Sequence, residues 1–320
     1  MQNLMVAVEK KHSAHNTKQS KKSLGSFFNR QEVAAYVFIM PMIIGLLTFT
    51  LAPIMISFVL SFTRYDILSS PTFIGLDNYI RMFTTDPVFW QSFRVTLFFT
   101  FVSVPLRLVF ALLVAILFFR GTRLVGVYRA VYYLPSIMGG SVAVAVLWRR
   151  IFAVEGVLNS ILQWFGIPSE IGWLARPDTA IWTLIILAVW QFGSSMLIFL
   201  GGLKQIPTTL YEAATVDGAS KLRQFFSITL PMLTPVIFFN LVLQTINGFT
   251  AFTQAFIITQ GRPMNTTLFY AVYMHRRSFE FSEMGYGAAM AWFMLLVVGL
   301  LTFVIFKTSN KWVYRASENE

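Results

Sequence analysis

The chain has no cysteine among its 320 residues, and this absence excludes disulfides and thiolate metal sites. It has only three histidines, His12, His15 and His275, which are too scattered to form a metal cluster or a catalytic triad. Charged residues are also scarce, at 12%, whereas a soluble domain usually carries about 25%. Since 56% of the residues are hydrophobic, the expected solvent of this chain is a lipid bilayer.

The hydrophobic residues are concentrated in six long blocks. Each block can supply the ~20 residues that a helix needs to cross a ~30 Å hydrocarbon core. Backbone groups in lipid must find their hydrogen-bond partners within the segment, so each block is predicted to be helical. The predicted spans are Ala34–Phe62, Ser92–Phe119, Tyr128–Phe152, Thr179–Leu203, Ile228–Thr259 and Gly285–Phe306. The predicted fold class is an all-α, polytopic membrane protein with six transmembrane helices.

Residues 1–32 and 309–320 are predicted to be tails that flank a transmembrane domain of residues 33–308. The first tail has no apolar run before Val33, so no signal peptide is expected. With both termini in the cytoplasm, the cytoplasmic segments hold all nine lysines and six arginines, whereas the outer loops hold eight arginines and no lysine. This asymmetry predicts that the loop of residues 205–227, between the fourth and fifth spans, is cytoplasmic.

A mostly polar segment of this loop has the sequence signals of a short helix. Thr209 and Glu212 have the spacing of a capping box, and Gly218 can adopt the left-handed conformation that ends a helix. These signals predict a helix over Thr209–Asp217, followed by a reversal.

A second helix is predicted from about Ser220, and Leu230 and Pro231 are expected to break the chain before the fifth span. A helix of two turns is marginal alone. The first helix is therefore expected to pack either on the inner ends of its own spans or on another protein.

The loop resembles the signature of the membrane subunits of binding-protein-dependent ABC importers. The matching residues are Glu212, Ala213, Ala214, Gly218, Ile228, Leu230 and Pro231. Further resemblance to the maltose-type carbohydrate branch extends over about Val33–Thr308. It includes Gly75-Leu76-Asp77-Asn78-Tyr79, Asp86-Pro87, Tyr133-Leu134-Pro135 and Leu200-Gly201-Gly202-Leu203.

This resemblance implies a permease subunit that imports a sugar or oligosaccharide by alternating access, with the loop helix docked in a cleft of an ATPase. The coupling residues that it implies are Thr209, Leu210, Tyr211, Glu212, Ala213, Ala214, Asp217 and Gly218. No G-x-x-x-x-G-K-[ST] motif occurs in the sequence, so ATP and Mg²⁺ are expected on partner subunits, and neither a cofactor nor enzymatic activity is expected on this chain.

The partners implied by the resemblance are a second permease in a heterodimer, two ATP-binding subunits, an extracytoplasmic solute-binding protein, the sugar and membrane lipid. No nucleic acid is expected. The implied location is the bacterial inner membrane, which the chain crosses several times, with both termini in the cytoplasm.

Polar side chains within the spans indicate a candidate substrate pathway, because polar groups inside a membrane usually face a bundle interior or a wet cavity. Asn240, Gln244, Asn247 and Gln254 lie on one stripe of the fifth span, and the helix could loosen at Asn247-Gly248. The candidate pathway residues are Tyr133, Ser136, Trp190, Gln191, Ser194, Asn240, Gln244, Asn247 and Arg107. Amides suit sugar hydroxyls and aromatic faces suit pyranose rings, but interhelical hydrogen bonding is an alternative role.

Arg107 lies about halfway along the second span, two residues after Pro105. Three roles stay open for it. It could pair with backbone carbonyls freed by Pro105, extend to the membrane interface, or attract an anionic substrate such as a uronic-acid oligosaccharide.

Two other functional classes are disfavoured. An ion-coupled secondary transporter usually has an acidic residue inside the membrane, whereas all fourteen acidic residues fall in predicted loops, tails or span ends. A membrane enzyme would need a histidine cluster, a cysteine or a carboxylate pair within the bundle.

Overall fold

The computed structural model describes residues 31–119, 125–167 and 170–314. Most of the predicted N-terminal tail and the last six residues of the C-terminal tail lie outside these ranges. The chain divides into two compact units, Met1–Ser57 and Phe58–Glu320.

The described part of the first unit is one apolar helix with a short irregularity. Helix α1 covers Gln31–Leu46, a π-helical turn covers Leu47–Leu51, and α2 covers Ala52–Leu60 and runs into the second unit. The segment Ala35–Leu60 is long and apolar enough to cross a membrane, in agreement with the first predicted span.

The described part of the second unit is mainly helical, and it contains a hairpin in which β1 (Thr63–Arg64) pairs antiparallel with β2 (Thr72–Phe73). Its helices are α3 (Asp77–Thr84), α4 (Pro87–Phe119), α5 (Val125–Met138), α6 (Val142–Ile151), α7 (Val157–Trp164), α8 (Ala180–Trp190), α9 (Gly193–Leu203), α10 (Thr208–Val216), α11 (Lys221–Gln224), α12 (Leu230–Phe249), α13 (Thr253–Ile258), α14 (Tyr270–His275) and α15 (Met284–Ser309). Two further π turns, Phe225–Thr229 and Arg276–Glu280, lie before α12 and after α14. The predicted all-α class is confirmed.

Two of the six predicted spans are broken. The single helical segments that are long and apolar enough to cross a membrane are Ala35–Leu60, Pro87–Phe119, Lys221–Ile258 and Met284–Ser309, although Lys221–Ile258 is interrupted at residues 250–252. Helices α5 and α6 are long and apolar enough to cross a membrane only when they are taken together, as a pair bent by 98°. The same holds for α8 and α9, which form a pair bent by 40°. The described chain therefore has six spans if each bent pair is counted as one. The third and fourth spans were predicted as continuous helices, and the structure shows that each is bent at a break.

The break in the third span follows from its local sequence. Gly139 and Gly140 each cost about 1 kcal/mol in a helix relative to alanine. Ser141 then begins α6, because its hydroxyl accepts a hydrogen bond from the Val144 N–H at 3.3 Å. Consecutive glycines followed by a capping serine favour a new helix over continuation of the old one.

Helix α4 is at the centre of the second unit, where it contacts α8, α9, α12 and α14. Close approach of α4 and α12 depends on Gly248, because a Cβ at this position would lie 2.7 Å from Cγ2 of Thr100. The predicted loosening at Asn247-Gly248 is wrong: this tightly packed segment stays helical to Phe249, and the interruption comes at residues 250–252.

Candidate functional site

The loop between α9 and α12 contains the predicted short helix, α10, within one residue of its expected bounds. The predicted capping box is wrong. Pro207 is the N-cap, and no side chain caps the helix. Because the chain enters α10 directly from Pro207, Thr209 is already the second helical residue and lies too far into the helix to cap it.

The end of α10 is formed by Gly218, as predicted. Gly218 has φ +75°, in the left-handed region. The Ala219 N–H donates to the Ala214 carbonyl at 2.8 Å, and the Gly218 N–H donates to the Thr215 carbonyl at 3.1 Å. This pair of hydrogen bonds is a Schellman motif, which satisfies the last carbonyls of the helix and reverses the chain.

Helix α11 begins near Ser220 as predicted, but the expected break at Leu230 and Pro231 is wrong. The helix continues through the π turn Phe225–Thr229, in which the Leu230 N–H bonds to the Phe225 carbonyl. This pattern brings Pro231 into the first turn of α12 without interrupting the helix.

One side of α10 is attached to the start of the fifth span. Tyr211 Oη and Thr229 Oγ1 are hydrogen bonded at 2.8 Å. The buried Gln224 amide donates to Thr215 Oγ1 and to the Ala219 carbonyl, both at 3.1 Å. These contacts hold α10, the turn after it and the π turn together as one piece.

The other side of α10 is exposed, and none of its residues is buried. Val216 is 89% exposed and Leu210 is 41% exposed, and Glu212 is exposed as well. An apolar and acidic surface on a two-turn helix is suited to contact with another protein.

The break in the third span, at Gly139, meets the break in the fourth span, at Gln191. The side chain of Gln191 fills the space beside Gly139, where a Cβ would lie 2.5 Å from Gln191 Cγ. The Gly139 carbonyl accepts hydrogen bonds from the amides of Gln191, at 3.3 Å, and Gln254, at 3.1 Å. Side chains from two other helical segments therefore satisfy a carbonyl that the break exposes.

The Gln191 carbonyl, at the C-terminal end of α8, is satisfied in the same way. The Arg107 guanidinium donates to it, and the Ser136 hydroxyl donates to it at 2.8 Å. Ser136 Oγ also accepts from the Ser194 N–H at 3.0 Å. Arg107 thus pairs with a backbone carbonyl, but the carbonyl belongs to the break in the fourth span rather than to the turn before Pro105.

A polar cavity of about 260 Å³ lies beside this junction. Five of the nine candidate pathway residues line it: Arg107, Ser136, Gln191, Gln244 and Asn247. Its apolar wall includes Phe99, Leu184 and Phe269. The structure therefore places polar residues of four different spans around one space.

The other four candidate residues do not line the cavity. Trp190 packs on Trp148 with ring centroids 5.5 Å apart, and Asn240 is fully buried with its amide 3.3 Å from the Val236 carbonyl. Tyr133 is partly buried beside Gly193, and Ser194 is partly buried next to Ser136.

Ser103 and Gln254 also line the cavity but are absent from the predicted site. Gln254 lies on the stripe of amides in the sequence, and Ser103 is one helical turn before Arg107. The spacing of Gln254 from the other amides and of Ser103 from Arg107 could therefore have indicated both residues from the sequence.

The family model described as "Binding-protein-dependent transport system inner membrane component" matches residues 74–315. The chain belongs to this family. Among the relatives of this permease, the probable ABC transporter permease protein YesP of Bacillus subtilis (strain 168) is 52% identical over 293 residues, covering 91% of this chain and 95% of YesP. The arabinooligosaccharides transport system permease protein AraP of the same strain is 32% identical over 290 residues, covering 88% and 90%.

The fold of this permease also matches a chain in the crystal structure of a bacterial alginate ABC transporter in complex with an alginate pentasaccharide-bound periplasmic protein. The TM-score is 0.76 at 20% identity, covering 90% of this chain and 97% of that chain. The predicted family and multi-pass architecture are confirmed, and the ion-coupled alternative finds no support among these relatives.

A second polar cluster of the permease, which the sequence analysis did not predict, surrounds Asp86 at the start of α4. Its Oδ1 accepts from the Val88 and Phe89 N–H groups, both at 3.1 Å, and its Oδ2 accepts from the Tyr273 and Tyr286 hydroxyls, both at 2.6 Å. Burial raises the pKa of Asp86, but the hydrogen bonds from the tyrosines and the Phe89 N–H outweigh it, so the pKa lies below its usual value.

Two arginines extend this cluster. Arg277 lies 3.5 Å from Asp86 Oδ2, donates to the Tyr273 hydroxyl oxygen at 2.7 Å, and is 3.2 Å from Glu283. Arg81 makes a bidentate pair with Glu283 at 2.9 and 3.2 Å. The cluster therefore connects α3, the start of α4, α14 with the π turn after it, and the start of α15.

Proposed function

We propose that this permease subunit takes up a sugar or oligosaccharide by alternating access, driven by ATP hydrolysis on partner subunits. The observation that carries the proposal is the continuity between α10 and the cavity. Helix α10 is fastened through Tyr211 to Thr229, and the helix that starts there leads without a break to Gln244 and Asn247 in the cavity wall. Movement of α10 would therefore reach the cavity through a continuous helix.

The residues of α10 divide into two roles in this proposal. Leu210, Glu212, Ala213 and the first-turn residue Thr209 form the surface that enters an ATPase cleft. Tyr211 and Ala214 face inwards, and Asp217 and Gly218 form the reversal that orients the helix. A short helix whose exposed surface has no partner among the described residues gains stability when it docks.

The substrate class is proposed from the cavity and the relatives. Amide and hydroxyl groups dominate its polar wall, and such groups bind the hydroxyls of a sugar in both hydrogen-bond directions. AraP is named for arabinooligosaccharides, which supports an oligosaccharide here.

The assembly and its orientation are proposed on the same family basis. An extracytoplasmic binding protein hands over the sugar, and a second permease and two ATP-binding subunits complete the complex. The termini and α10 lie on the cytoplasmic side of the bacterial inner membrane, as the distribution of lysines favours.

The experiment is co-expression of the permease with its genetic neighbours, followed by purification and reconstitution in proteoliposomes. We expect an ATPase to copurify, and we expect Glu212→Lys to lower ATP-dependent uptake at least about tenfold, because it reverses a charge at the docking surface (~1.4 kcal/mol per tenfold change). Glu155→Lys is the matched control, since Glu155 is an exposed acidic residue in the connection between α6 and α7. Full ATP-dependent uptake by the Glu212→Lys complex would contradict the role of α10, and uptake without any ATPase would contradict the function.

A further inference from the structure

Arg107 brings a positive charge to the cavity, and no acidic side chain among the described residues neutralises it. Among the described residues that line the cavity, none is aspartate or glutamate, and Arg107 makes no ion pair within the described part of the chain. A buried cation is costly unless it is paired. The charge therefore needs a partner that the described chain does not contain.

The Gln191 carbonyl is an incomplete partner for this charge. The C-terminal end of a helix carries only about half an elementary negative charge. The same carbonyl also accepts a hydrogen bond from Ser136, so its capacity is shared. Part of the charge of Arg107 stays uncompensated at the cavity wall.

Two polar atoms at the cavity have no hydrogen-bond partner in the described structure. The Nε of Arg107 is a buried donor, and the Oε1 of Gln244 is a buried acceptor. Leaving such groups unsatisfied is unfavourable, and more so for a charged group. An anionic acceptor beside Arg107 and a hydroxyl donor beside Gln244 would satisfy both.

We infer that the cavity binds an acidic sugar unit, with its carboxylate on Arg107 and a ring hydroxyl on Gln244. A carboxylate suits the planar guanidinium because it accepts two parallel N–H bonds. The inference rests on the proposed function and narrows its substrate to uronic-acid oligosaccharides. Arg107 then has two roles: it holds the break in the fourth span through Gln191, and it selects the charge of the substrate.

The test compares a uronic-acid oligosaccharide with the same oligosaccharide after chemical reduction of its carboxyl groups. Uptake of both is measured with the full complex in proteoliposomes, for the wild type, Arg107→Gln, Arg107→Lys and Ser136→Ala. We expect Arg107→Gln to lower the ratio of acidic to reduced sugar uptake about tenfold or more, because a hydrogen bond to a charged group is lost. Arg107→Lys, which keeps the charge, should lower the ratio less.

Ser136→Ala separates the two roles of Arg107. This variant removes the other donor to the Gln191 carbonyl without changing the charge, so it should slow uptake of both sugars and leave their ratio unchanged. An equal fall for both sugars in Arg107→Gln would overturn the inference and leave Arg107 with its role at the helix break alone.

A second measurement does not depend on assembly of the variants. The acidic oligosaccharide should raise the unfolding temperature of the wild-type complex more than its reduced counterpart does. Equal stabilisation by the two sugars would overturn the inference. ATP-dependent uptake of the reduced sugar only, or of neither sugar, would also overturn the inference while leaving the importer function intact, whereas uptake without any ATPase would contradict the proposed function itself.

Discussion

Replacement of Asp86 by asparagine should destabilise the permease, because it removes the carboxylate oxygen that accepts hydrogen bonds from two tyrosines. Asparagine keeps an oxygen where Oδ1 accepts from the N–H groups at the start of α4. The other position changes from a charged acceptor of the Tyr273 and Tyr286 hydroxyls into an N–H donor. The same substitution removes the carboxylate charge that lies 3.5 Å from Arg277.

The magnitude follows from the two hydrogen bonds that Oδ2 accepts from the tyrosine hydroxyls. A hydrogen bond to a charged group contributes about 1.5–3 kcal/mol, and the side chain of Asp86 is only 3% exposed, so solvent screens these bonds little. The two tyrosine hydroxyls can rotate and recover part of the loss by accepting from the new amide. The expected cost in unfolding free energy is therefore about 2–4 kcal/mol, or on the order of 5–10 °C in unfolding temperature.

The assay is thermal unfolding of the purified complex, followed by tryptophan fluorescence. Asp178→Asn is the matched control, because Asp178 pairs with Arg176 at 2.8 Å but both side chains are more than half exposed. Such surface pairs contribute about 0–1 kcal/mol. If Asp86→Asn lowers the unfolding temperature no more than Asp178→Asn does, the buried cluster does not stabilise the fold as argued.

Two further predictions concern pH and the helix break. The pKa of Asp86 is lower in the folded state than in the unfolded state, where it is about 3.9. The stabilisation by the Asp86 carboxylate is therefore present above about pH 3.9 and is lost as pH falls through the folded-state pKa. The difference in unfolding temperature between the wild type and Asp86→Asn should be constant from about pH 5 to 7 and shrink below about pH 4. Gly139→Ala should lower the free energy of unfolding by about 1–3 kcal/mol and reduce uptake, because its methyl group would overlap Gln191. Gly140→Ala is the control and should be tolerated, because a Cβ at this position meets nothing within 4 Å. Similar uptake by the two variants would show that the contact with Gln191 is unimportant.

The features that the sequence predicts well are those set by neighbouring residues. The six apolar blocks correspond to four single segments that are long enough to cross a bilayer and two bent helix pairs, because hydrophobic length decides whether a segment can cross. The end of α10 is equally local, since only a residue such as Gly218 adopts a positive φ without strain. The capping box fails for a local reason too: Pro207 competes with Thr209 to set the start of the helix, and the proline decides it.

The Asp86 cluster could not be predicted, because its hydrogen bonds join residues that are far apart in the chain. Tyr273 and Tyr286 are separated from Asp86 by 187 and 200 residues. In the sequence, Asp86 is only an acidic residue at the start of a span, where it could equally cap the helix and face solvent. The choice between these roles depends on where α14 and α15 pack.

The junction of the two helix breaks shows why only part of the pathway was predictable. Irregular backbone at membrane depth is stable only where protein groups or a wet cavity satisfy it. The Gly139 carbonyl depends on Gln191 and Gln254, and the Gln191 carbonyl depends on Arg107 and Ser136. Each break is therefore stabilised by side chains from other spans. The sequence shows which spans contain polar residues. Which of these residues bond to the carbonyls at the breaks, and which also line the cavity, depends on how the spans pack against one another.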